Sequence, residues 1–139
     1  VTAVGARVLC EVVPAIADGT LKPQPQDHEN ACLAPMLNKE MAEFRLTESA
    51  AHIHNWVRGM NPWPVAWFEQ DGKRIKVLEC RLAENAQNAT PGTVLALKPL
   101  TIAAANGAVA LLTVTPEGGK PMAGTAWAAG RRLKAGDSL

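Results

Sequence analysis

Ile53-His54-Asn55-Trp56-Val57-Arg58-Gly59-Met60-Asn61-Pro62-Trp63-Pro64-Val65-Ala66-Trp67-Phe68 holds the change of period on which the fold turns. On its upstream side the apolar residues fall at helical spacing. Thr47 as N-cap and Glu48 in the first turn predict a helix over 48–60, with Ala50, Ile53, Trp56 or Val57, and Met60 on one face. Asn61 stops that helix, because Pro62 disfavours the α region for the residue before it. Trp63 is then confined between two prolines, and the bond before Pro64 admits the cis form.

Downstream the period becomes two. Residues 65–69 and 74–82 read as strands joined by the turn Gln70-Asp71-Gly72-Lys73, and Asp-Gly between such runs is a strong hairpin signal. Residues 92–98, 100–105 and 109–115 read as further short strands, separated by Lys98-Pro99 and Asn106-Gly107. Short strands with no helices between them predict a mostly β fold with flanking helices, a small closed or nearly closed antiparallel barrel. A terminal helix over 122–129 and a basic tail, Arg131-Arg132-Leu133-Lys134, complete it.

Upstream, apolar residues at Val4, Val8, Leu9, Val12, Val13 and Ile16 predict a helix over 4–17 with one broad buried face. Pro14 implies a kink or an early end, and Gly19 is a C-terminal stop. Residues 20–30, with Pro23 and Pro25, read as extended linker, and 36–44 is ambiguous. The expected organisation is a terminal helix over 1–19, a linker over 20–45 and the barrel over 46–139. A helix already under way at Val1 suggests part of a longer protein.

The 139 residues are 47% hydrophobic but only 4% aromatic, so Ala, Val and Leu must fill most of the core. No apolar run approaches the roughly 20 residues of a membrane span, and no signal peptide is evident. Net charge is +1 but uneven: residues 1–70 carry five Lys/Arg against eight Asp/Glu, and residues 71–139 carry nine against five. The basic half permits a polyanion partner without demanding one. Cys10, Cys32 and Cys80 form no C-x-x-C pair, which fits a reducing, cytoplasmic compartment. No metal site is expected from His28, His52, His54 and Cys32, because His52 and His54 are two apart on a predicted helix and point in different directions.

The corner followed by Gly72-Lys73-Arg74-Ile75-Lys76-Val77 resembles the C-terminal domain of the methionyl-tRNA formyltransferase family. The same resemblance runs through Leu33-Ala34-Pro35-Met36-Leu37-Asn38-Lys39-Glu40, Ala89-Thr90-Pro91-Gly92-Thr93-Val94, Gly119-Lys120-Pro121-Met122 and Gly130-Arg131-Arg132-Leu133. Leu33 stands where the family often has Tyr, and Arg45-Leu46 where it often has Asp-Trp. The resemblance implies an OB-like barrel that binds tRNA, preceded by the last helix of a catalytic domain and the linker. It also implies a parent enzyme that formylates initiator methionyl-tRNA in translation initiation, with 10-formyltetrahydrofolate as donor. The family's catalytic Asn, His and Asp lie in an N-terminal domain, the His in a His-x-Ser-Leu-Leu-Pro stretch. That stretch does not occur in this sequence. The chain alone is therefore expected to be inactive, to bind no cofactor itself, and to act as a monomer alongside the missing catalytic domain.

Expected tRNA contacts are Arg58 near the corner, Lys73, Arg74 and Lys76 on one hairpin, and Arg131 and Arg132 in the tail. Arg74 and Lys76 share a strand face by period two. Each of these cations also has a bland reading as a solvated side chain, and the tail as a flexible end. Asn61, Pro62, Trp63 and Pro64 are expected to be a structural corner, with Trp63 packed where the helix meets the first strand rather than stacked on a nucleotide. Trp56 and Trp67 are expected in the core. Two other functions compete. One is the matching domain of a formyltransferase acting on sugar nucleotides or on formyl-folate; the other is a domain that only braces its catalytic partner.

Overall fold

The computed structural model describes residues 2–84 and 88–139. Val1, where the first helix is expected to be already under way, lies outside them. The chain divides into a unit ending at Pro35 and a unit from Met36 to Leu139. In the first, helix α1 (Thr2–Ala17) runs through Pro14 without ending there. Gly19 closes it at φ +67°, with the Thr20 and Leu21 N–H groups both donating to the Ala15 carbonyl. The expected buried face is exposed instead: Val4, Val8, Leu9, Val13 and Ile16 are each at least 48% accessible. Helical spacing marks a face for burial but does not say which surface covers it. Residues 20–45 contain two 3-10 turns: His28–Asn30, capped by the Asp27 carboxylate, in the first unit, and Glu40–Ala42 in the second.

The second unit is built on a six-stranded antiparallel sheet. Its strands are β1 (Trp67–Gln70), β2 (Lys73–Ala83), β3 (Val94–Leu97), β4 (Leu100–Ala103), β5 (Ala108–Pro116) and β6 (Met122–Ala123). The order is β1-β2-β5-β4-β3, and β6 pairs with β5 at Thr113 and Val114, beyond the β4 ladder. Asp71 (φ 52°) and Gly72 (φ 71°) form the β1–β2 turn, whose two left-handed residues match the twist of the flanking strands. Strand β6 occupies the start of the stretch expected to be helical, so the last helix, α3, is Gly124–Gly130.

The fold is mostly β with flanking helices, as expected, and of the closed and nearly closed forms the sequence left open, the sheet is not closed. Among the described residues no ladder joins β1 to β3, so the sheet stays open at both ends. The open edges are satisfied by irregular chain rather than by each other. The Phe44 N–H donates to the Trp67 carbonyl at 2.9 Å on the β1 side. On the β3 side the Val94 N–H donates to the Asp137 carbonyl at 2.8 Å. The basic stretch leads into this edge: the Lys134 N–H donates to the Asp137 carboxylate, and residues 136–139 lie along Gly92–Val94.

Helix α2 (Ala50–Met60) crosses the sheet and buries Ala50, Ile53, Val57 and Met60. Val57, not Trp56, completes that face; Trp56 is half-buried and stacks on His52 with ring centroids 5.2 Å apart. The cap also differs from expectation. Ser49 rather than Thr47 accepts from the His52 N–H, at 3.2 Å, which moves the helix start two residues on and leaves Glu48 outside it. Phe44, Phe68, Leu100, Ile102, Val109, Leu111 and Val114 fill the core. Trp127 of α3 meets Phe68 edge-on at 6.3 Å.

Candidate functional site

The corner and the first hairpin together form a cleft. After Met60 the chain turns through Asn61-Pro62-Trp63-Pro64, with the bonds before Pro62 and Pro64 both cis. The Asn61 side-chain amide donates to the Leu78 carbonyl at 3.0 Å and ties the corner to β2. Val65, at φ 72°, donates its N–H to the Met60 carbonyl, so β1 begins at Trp67 and not at Val65. Pro64 is buried, but Trp63 is 56% exposed. The expected packing role for Trp63 is therefore corrected. The bend turns its indole outward, while Trp67, the first residue of β1, takes the buried position.

Trp67 organises what surrounds Trp63. Its indole N–H donates to the Lys39 carbonyl at 2.9 Å, and the Arg74 guanidinium lies over its ring, 4.4 Å from the centroid. A β-bulge between Val77 and Cys80 shifts the alternation of β2, so the inward side chains are Ile75, Val77 and Cys80. Arg74 and Lys76 both point outward before the bulge. Lys39, Pro62, Trp63, Pro64, Val65, Trp67, Arg74, Lys76 and Glu117 line one cleft of about 460 Å³. Three cations face one carboxylate there, beside an exposed aromatic ring.

The other expected contacts lie elsewhere. Arg58 donates to Asn55 at 3.0 Å and borders a separate cleft between α2 and β2, with His54, Leu78, Glu79 and Cys80. Lys73 and Arg131 line an apolar groove with Ile75, Met122 and Trp127. Arg131 is ion-paired with Asp71 and extends over Trp127, 6.0 Å from its centroid. The hydrogen bond from Arg131 holds the Asp71 carboxyl below its usual range. Arg132 sits at φ 56° after α3, exposed. The six expected cations thus do not form one patch: Arg74 and Lys76 share the corner cleft with Lys39; Lys73 and Arg131 share the apolar groove; and Arg58 borders a third cleft. The sequence held no local signal for Lys39, since its tie to Trp67 spans 28 residues.

Residues 36–132 match the family described as formyl transferase, C-terminal domain. The chain belongs to that family. The formyl transferase C-terminal domain here is 41% identical over 140 residues to a methionyl-tRNA formyltransferase of Streptococcus pyogenes, covering 98% of this chain and 44% of the relative. It is 41% identical over 138 residues to one of Sorangium cellulosum, covering 96% of this chain and again 44% of the relative. The chain therefore spans less than half the length of the curated relatives it matches. Among solved structures, HypX from Aquifex aeolicus in complex with tetrahydrofolic acid superposes at TM-score 0.63 with 18% identity. That likeness covers 94% of this chain and 24% of HypX, and it concerns the fold of the formyl transferase C-terminal domain.

Proposed function

We propose that this chain is the C-terminal, tRNA-binding region of a methionyl-tRNA formyltransferase. In the longer protein, a catalytic domain outside this chain would transfer formyl from 10-formyltetrahydrofolate to the amino group of initiator methionyl-tRNA. Proton transfer by its His and Asp, and oxyanion stabilisation by its Asn, belong to that domain, as does the folate donor. Residues 1–19 would be its last helix, 20–45 the linker and 46–139 the binding domain, in a monomeric cytoplasmic enzyme. The observation that carries the reading is 41% identity across 98% of the chain to a methionyl-tRNA formyltransferase. The cluster of Lys39, Arg74 and Lys76 supports it, because cations on one surface neutralise phosphates and position RNA without reading its sequence.

A titration of the 139-residue chain with initiator tRNA across a range of salt tests the proposal. Binding is expected to weaken steeply with salt. The double variant Arg74→Glu, Lys76→Glu is expected to bind many tRNAs less well and to lower the salt slope by about 2. An unchanged affinity and slope in that variant would remove the tRNA function from this face.

A further inference from the structure

We propose that the cleft at the Pro62-Trp63-Pro64 corner is a site for an unpaired nucleotide, its base stacked on Trp63 and its flanking phosphates held by Lys39, Arg74 and Lys76. This rests on the tRNA-binding reading and adds a contact that phosphate neutralisation alone does not require.

Trp63 is the outlier among the four tryptophans. Trp67 and Trp127 are buried and Trp56 is half-buried, whereas Trp63 is 56% exposed on the wall of a cleft. Its presentation is stiff. Prolines on both sides hold their own φ near −65°, so little backbone freedom remains to be lost when a ligand stacks on the ring. The surroundings are also held: the Arg74 guanidinium lies over the Trp67 ring, and the Lys39 backbone carbonyl accepts from the Trp67 indole N–H. At about 460 Å³ the cleft falls within the range of roughly 300–1,000 Å³ typical of ligand sites.

The chemistry selects the occupant. An apolar protein segment laid on Trp63 would desolvate three cations, with Glu117 in the cleft and Glu69 across the ladder from Arg74 as the carboxylates beside them. A perfect duplex would meet the cations but keep both faces of every internal base stacked within itself. A single-stranded or looped-out nucleotide satisfies both halves of the site. Each base offers a π-face to the indole, and its phosphodiesters reach the neighbouring cations.

The test compares Trp63→Leu, Trp63→Phe and Arg74→Glu, Lys76→Glu in the 139-residue chain. Each is titrated with initiator tRNA, a short single-stranded oligoadenylate and a blunt RNA duplex. Trp63→Leu is expected to bind tRNA and oligoadenylate about tenfold more weakly with an unchanged salt slope, because stacking releases no counterions. Trp63→Phe is expected to recover most of that loss, and duplex binding to be indifferent to residue 63. Quenching of tryptophan emission by oligoadenylate should disappear in Trp63→Leu. A urea midpoint equal to that of the unmodified chain shows that the variant is folded.

Wild-type affinity of Trp63→Leu for both single-stranded ligands would overturn the nucleotide site. If the charge-reversal variant still binds poorly in that case, tRNA binding through phosphates survives. If it binds normally, both readings fail. Should Trp63→Leu weaken association with the remainder of the longer enzyme and leave RNA binding intact, the corner is a protein contact and the proposal is wrong.

Discussion

Trp67 donates its indole N–H to the carbonyl of Lys39, 28 residues earlier in the chain, at 2.9 Å. The same ring carries the Arg74 guanidinium on its face. One buried side chain therefore lies under the Arg74 guanidinium and anchors the backbone of the segment that carries Lys39. Trp67→Phe keeps a ring beneath Arg74 but removes the donor. It is expected to cost about 1 kcal/mol, read as a lower urea midpoint at constant slope. Trp67→Leu removes the ring as well and should cost about 3 kcal/mol. Equal stability of Trp67→Phe and the unmodified chain would show that the bond does not hold the Lys39 segment.

The Asp71–Arg131 pair joins the β1–β2 turn to the end of α3. The Arg131 hydrogen bond lowers the folded-state pKa of Asp71 below its ordinary value of 3.8. The stabilisation is thus present above about pH 4 and is lost as pH falls through the depressed folded value. Thermal melts of the unmodified chain and Asp71→Asn should differ at neutral pH and low salt, and converge on acidification or in high salt. A difference that persists once the Asp71 carboxyl is protonated in the folded chain would mean that the turn residue acts through geometry and not charge.

Cys80 is buried on the inner face of β2, and burial pushes its thiol up to about 11 from 9.0. At pH 8, Cys10 and Cys32, both exposed, should react promptly with a thiol-specific disulfide reagent, while Cys80 waits for denaturant. Linkage follows the same sign. The unfolded thiol ionises from about pH 9 and the folded one only near 11, so stability is retained below pH 9 and declines between the two. Cys80→Ser or Cys80→Ala should flatten that decline; rapid labelling of all three thiols in the native chain would place Cys80 at the surface.

Gly124 begins α3 where the helix leaves β6, and a Cβ at that point would run into the backbone carbonyl of Leu111. Backbone cannot swing aside as a flexible side chain can. Gly124→Ala should therefore destabilise by about 3 kcal/mol and displace Trp127 from Phe68, seen as a changed near-ultraviolet dichroism. Gly118→Ala is a useful contrast: nothing lies near its Cβ, so its cost comes only from the left-handed backbone at φ 70°.

Much of this was legible in the chain. The hairpin at Asp71-Gly72, the strand breaks, the helix ending at Met60 and the family resemblance all follow from local rules. Turn residues, proline and side-chain period act within a few positions. Among the candidate residues, the outward pairing of Arg74 and Lys76 was legible for the same reason. The choice of Val57 over Trp56 was not, because one turn of helix offers two adjacent apolar residues and only the facing sheet selects between them.

By itself, then, the sequence determined strands β1 to β5, the three helices, their order and the corner that separates helix from sheet. Tertiary structure decided the rest. The open sheet depends on segments 43–44 and 136–139 reaching the edges of β1 and β3, which no local pattern encodes. The outward turn of Trp63, the burial of Trp67 and the arrival of Lys39 beside Arg74 likewise depend on contacts between distant residues. Local spacing specifies which side chains share a face; only packing decides which of those faces meets the core and which is left for a partner.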